Sequence, residues 1–99
     1  MNTKKIDSFI NDLESDSGVL INISCFHRSE ASRVERPFYD LKIIPSGIHK
    51  ANNHTVLVEV IWGQSYYKIK KIDGVWYFGN KNLRDRQMIL VITNIYRGS

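Results

Sequence analysis

YYKIKKIDGVWYF, residues Tyr66 to Phe78, is two runs of aromatic, β-branched and lysine residues joined by Asp73-Gly74. Asp-Gly between such runs signals a hairpin, because a type I′ turn needs positive φ at both central positions and twists as the flanking strands do. With Asp73 and Gly74 as the loop, Ile72 faces Val75, Lys71 faces Trp76, Lys70 faces Tyr77 and Ile69 faces Phe78. Opposed residues share a face of the sheet. The preceding run, Thr55–Trp62, joins the hairpin through Gly63-Gln64, where a leading glycine suits a type II′ turn. That turn opposes Ile61 to Tyr66, Val60 to Tyr67, Glu59 to Lys68 and Val58 to Ile69. Read independently, both turns gather Val56, Val58, Val60, Tyr67, Ile69, Trp76 and Phe78 on one side, with Lys71 at its end, and this side is the expected core face. A slip of one residue would bring lysines opposite Val58 and Val60 on the buried side, so that register is rejected.

Outward from this unit, residues 3–17 place Ile6, Phe9, Ile10 and Leu13 on the i, i+3, i+4, i+7 stripe of an amphipathic helix, with Asn2 or Thr3 as its cap and Gly18 as its left-handed stop. A helix this short is marginal alone and must dock on the sheet. Val19–Phe26 alternates as a first strand, with Ile21, Ile23 and Cys25 on one side. His27–Arg36 is a polar loop carrying Arg28, Arg33 and Arg36 among glutamates, and it ends at Pro37. Phe38–Ile44 is read as a second strand, closed by Pro45-Ser46-Gly47, and Ile48–His54 as a short edge strand or a connection. Gly79–Arg86 is a second polar loop. Gln87–Tyr96 is rich in Ile, Val and Thr and apolar on both alternations, which predicts a strand covered on both sides or lying centrally in the sheet; β-branching disfavours the alternative, a terminal helix.

A chain of 99 residues forms one domain, 1–99, too small for a deep cleft between two domains. The excess of 14 basic over 10 acidic side chains lies entirely in residues 51–99, which carry 7 against 3, so the second half has a weak positive field. A single cysteine, Cys25, excludes an internal disulfide framework and fits a reducing, cytoplasmic setting. No apolar signal core follows the first lysines, and no apolar run approaches the ~20 residues that span a bilayer, so no membrane contact is expected. These elements predict an α+β fold: one N-terminal helix packed on a twisted, mainly antiparallel meander sheet of five to six strands.

The outward face of the central hairpins is the surface with most to say. It bears Leu57, Glu59, Ile61, Tyr66, Lys68, Lys70, Ile72, Val75 and Tyr77, half of it apolar, where the solvent face of an antiparallel sheet is mostly polar. Tyrosine among aliphatic residues and a few charges is the makeup of a protein interface, including one with a second copy of the chain. The expected function is therefore a non-catalytic protein-binding module of inhibitor, immunity or adaptor type, using Tyr66, Lys68, Lys70 and Tyr77 with the loop residues Arg33 and Arg84. The same face could instead stack bases and neutralise phosphates of RNA or single-stranded DNA, although no ribonucleoprotein, zinc-finger or helix-turn-helix pattern is present. A third reading is a small metal-independent ribonuclease, in which His27 with Glu30 or Glu35 moves the proton and arginines stabilise the phosphorane. Cys25, His27, His49 and His54 lack the C-x₂₋₄-C and H-x₃₋₅-H spacings of a zinc site taken together, although His49 and His54 match the latter half, and no motif calls for a cofactor.

Overall fold

The computed structural model describes residues 3–13, 18–31, 39–52 and 55–98. In chain order they form helix α1 (Thr3–Asp12), strands β1 (Leu20–His27), β2 (Tyr39–Asn52), β3 (Thr55–Trp62), β4 (Ser65–Ile72) and β5 (Val75–Asn80), a 3₁₀ turn (Asp85–Gln87) and strand β6 (Leu90–Arg97). The central register is the expected one at every opposed pair from Ile61↔Tyr66 to Ile72↔Val75. Asp73 and Gly74 have φ of 49° and 80°, and Gly63 has φ of 63°, as the two turn types demand. Val56, Val58, Val60, Ile69, Trp76 and Phe78 are buried.

The open sheet layered on a helix is not what forms. Each strand pairs antiparallel with the next, and β6 returns to pair with β1, so six strands close into a barrel. The last strand of an open meander is an edge; closure gives β6 a partner on each side and leaves no unpaired rim. β6 is also apolar on both alternations: Ile92 and Ile95 point to the interior and Val91, on the other side, is buried too. Two bulges provide the curl. In β6 the pairing steps from Ser24↔Asn94 to Cys25↔Ile92, leaving Thr93 extra. The Thr93 hydroxyl donates to the Ser24 carbonyl at 3.1 Å, and the two hydroxyls are 3.0 Å apart, which satisfies the buried Ser24.

The larger bulge corrects the reading of residues 38–54. Pro45-Ser46-Gly47 does not end a strand; β2 runs through it as one 14-residue strand. Pairing jumps from Ile43↔Val60 to Ile48↔Val58, so Ile44–Gly47 lies opposite Glu59 alone, with Ser46 at φ 61°. The chain turns a corner there without losing its partner.

Helix α1 ends at Asp12, residues 14–17 of the expected 3–17 lying outside the described residues, and it covers no sheet face. Its stripe of Ile6, Ile10 and Leu13 is buried, and it packs on β5 and β6 at the end of the barrel where β1 begins. Beyond Tyr77↔Val91 and Phe78↔Leu90, β5 and β6 pair no further, and the helix fills that gap. Asp7 accepts the Trp76 indole N–H at 2.7 Å and meets the Lys71 ammonium at 3.1 Å; the Arg97 guanidinium lies 5.9 Å from the Phe9 ring centre. Among the described residues no helix is long and apolar enough to cross a membrane.

Candidate binding site at the open end of the barrel

Strand alternation sends Lys68 and Lys70 outward, but the chain itself takes them up. The segment after β5 folds back over β4 and β5, where the Lys68 ammonium donates to the Leu83 carbonyl and the Lys70 ammonium meets the Asp85 carboxylate at 2.7 Å. Gly79, opposite Lys68, allows this approach. A Cβ there would lie 2.8 Å from Leu83 Cδ1 and 2.9 Å from Met88 Sδ. The Arg84 amide is capped by Gln87 Oε1 at 2.9 Å, which fixes the 3₁₀ turn. Breaking the clamp with Lys70→Met should change stability by less than about 1 kcal/mol, because Asp85 is largely exposed. The expected signature is faster hydrogen exchange at the Gln87 and Met88 amides, which close the turn onto Arg84 and Asp85; unchanged rates would show that the clamp holds nothing.

Of the other residues singled out in the sequence, Tyr66 is exposed with the Lys81 ammonium 5.2 Å from its ring centre, and half-buried Tyr77 lies beneath Arg28 at 5.7 Å. Arg84 is exposed on the same loop. Arg33 lies outside the described residues, as do Glu35, Arg36 and His54. His27 ends β1, its Nδ1 2.6 Å from the Ser29 hydroxyl, while His49 pairs with Glu59 at 2.7 Å on the outer surface of β2 and β3. His27 and His49 therefore do not converge, and among the described residues no cluster of three or more His, Cys, Asp or Glu is placed to hold a metal.

The feature that sequence reasoning missed is the end of the barrel opposite the helix. There Tyr39, Trp62, Tyr67 and Phe78, all on inward positions, pack ring against ring. Tyr39 and Trp62 meet edge to face at 4.7 Å and 88°, Trp62 and Tyr67 at 5.5 Å and 61°, and Tyr67 stacks on Phe78 at 5.3 Å. Such tilted contacts suit the ring quadrupoles. Rings this close leave no slot for a cation between their faces, so they form a floor and not a cage. Above the floor is a hollow of about 410 Å³, with Leu83, Ile89 and Leu90 as its apolar wall and His27, Asn80 and Gln87 as its polar groups. Trp62 remains 40% exposed and Ile89 37%. The signal was present in part: carrying the alternation of Val56, Val58 and Val60 two residues further puts Trp62 inward. Which end the helix would plug had no such signal.

The fold and this site define a small, closed antiparallel barrel with one plugged and one open aromatic end. No known protein family matches the chain, and comparison with curated proteins and with solved structures finds none similar to it.

Proposed function

We propose that the protein is a non-catalytic protein-binding module that receives an apolar side chain of its partner in the open end of the barrel. The observation that carries this reading is the half-exposed Trp62 on a floor of packed rings, beside an apolar hollow of about 410 Å³. Trp and Tyr at the centre of a desolvated hollow are the residues that dominate protein interfaces. A volume of this size is in the range of ligand pockets, but those bury most of a free ligand. A six-stranded barrel has its interior filled by its own side chains, so this hollow cannot deepen into the core. An anchor delivered by a larger partner needs only such a shallow seat. The outer-face readings receive less support, since Lys68 and Lys70 are already engaged by the chain's own loop.

The test is a titration of the isotopically labelled protein with indole. Burying about 120 Å² of apolar area at about 25 cal/mol per Å² gives about 3 kcal/mol, hence a Kd of several millimolar. The amides of Gly79, Ile89 and Leu90 should shift while those of Val56, Lys71 and Trp76 stay still, and Trp62→Ala should weaken binding at least about fivefold. Absence of shifts, or equal shifts at both ends, would refute the reading.

A further inference from the structure

We infer that the partner segment seated on the open end is acidic, its apolar anchor flanked by carboxylates; this rests on the reading of that end as a protein-binding site. Four cations are chain neighbours of residues that line the hollow: Arg28 of His27, Lys81 of Asn80, Arg84 of Leu83 and Arg86 of Gln87. Arg28 and Lys81 are held over Tyr77 and Tyr66 at 5.7 and 5.2 Å, and Arg84 and Arg86 are exposed on either side of Asp85, in the loop whose Leu83 and Gln87 line the hollow. The ion pairs among the described residues are His49–Glu59, Lys70–Asp85 and Lys71–Asp7, and none of them engages any of the four. The one carboxylate between the two arginines, Asp85, is neutralised by Lys70. At the helix-plugged end Lys71 is paired with Asp7.

Aromatic rings beneath Arg28 and Lys81 hold these cations in place while leaving their N–H groups available. Guanidinium forks suit carboxylates bidentately. Nucleic acid fits less well, because binding a single strand requires open aromatic faces for successive bases and a continuous cationic track. Here Tyr66 is occupied by Lys81, Trp62 is flanked by Tyr39 and Tyr67, and Lys68 and Lys70 are engaged by the loop.

Three matched peptides test this, each with one central phenylalanine: acetyl-EEDFDEE-amide, acetyl-SSSFSSS-amide and acetyl-KKKFKKK-amide, titrated against the labelled full chain at low salt, with oligothymidylate as a fourth probe. The acidic peptide should bind at least about tenfold more tightly than the serine peptide, with the lysine peptide weakest. That advantage should shrink as salt rises and vanish in Arg84→Glu/Arg86→Glu, whose side chains are exposed and whose replacement leaves the fold intact. Equal affinity for the acidic and serine peptides would overturn the charge assignment while leaving the apolar seat standing. If no peptide perturbs the open end, the seat itself is refuted. Oligothymidylate binding there more tightly than the acidic peptide would overturn the assignment to a protein partner.

Discussion

Asp7→Ala should lower the midpoint of thermal unfolding by about 10–20 °C, which at about 4–8 °C per kcal/mol for a domain of this size corresponds to about 2–3 kcal/mol. The two carboxylate oxygens of Asp7 serve different partners, the Trp76 indole at 2.7 Å and the Lys71 ammonium at 3.1 Å. Trp76 is fully buried and the Lys71 side chain is only 14% exposed. Removing the carboxylate takes an acceptor from a buried donor, at about 1–3 kcal/mol, and one partner from a nearly buried cation. The Asp7 side chain is itself 31% exposed, so entering water offsets part of the loss. Asp7→Asn keeps an acceptor for the indole and should show about half the effect. Thermal melts followed by circular dichroism decide the matter: an alanine variant melting within about 2 °C of the parent would mean that Ile6, Ile10 and Leu13 alone hold the helix in the barrel end.

The second large effect is expected at the corner of β2. Gly47→Ala would place a Cβ 2.7 Å from the Ile44 carbonyl oxygen and 3.1 Å from that of Glu59. Both are backbone atoms in a paired bulge, so nothing nearby can swing aside, and the expected loss is about 2–4 kcal/mol. Gly63→Ala is the control. Its Cβ would meet open space, but φ there is 63°, a strain of about 1–2 kcal/mol for any residue with a side chain. Urea unfolding should therefore rank Gly47→Ala below Gly63→Ala in midpoint at similar slope. The reverse order would show that the bulge yields and that the corner is not fixed by crowding.

Local pattern revealed the staves of this barrel and concealed its closure. The hairpins around Gly63 and Gly74 were legible because turn chemistry and alternation agree on the same inward residues. Residues 38–54 were misread because Pro45, Ser46 and Gly47 are turn formers, and a bulge uses the same residues as a turn; only the strand alongside, with Glu59 opposite the excess, tells them apart. Strand β6 was legible, but its two apolar faces speak of cover above and below the sheet and not of hydrogen-bonded neighbours at both edges, so its pairing with β1 was not. Tyr66, Lys68, Lys70 and Tyr77 share the outer face of β4 and β5, as their alternation implies, but none of them and not Arg84, which lies on the loop, lines the hollow. The loop that covers the lysines could not be foreseen, because the Leu83 carbonyl and the Asp85 carboxylate reach them from 15 residues away. The open end was half visible, as residues already counted as core.

The two glycine turns emerge from opposite ends of the barrel: Gly63-Gln64 beside Trp62 at the open end, Asp73-Gly74 beside Trp76 at the end held by the helix. The molecule therefore has a front and a back. A fluorophore or surface tether attached at Gly74 would report on, or immobilise, the domain from behind, leaving the aromatic side facing the solution, whereas the same graft at Gln64 would stand in front of it.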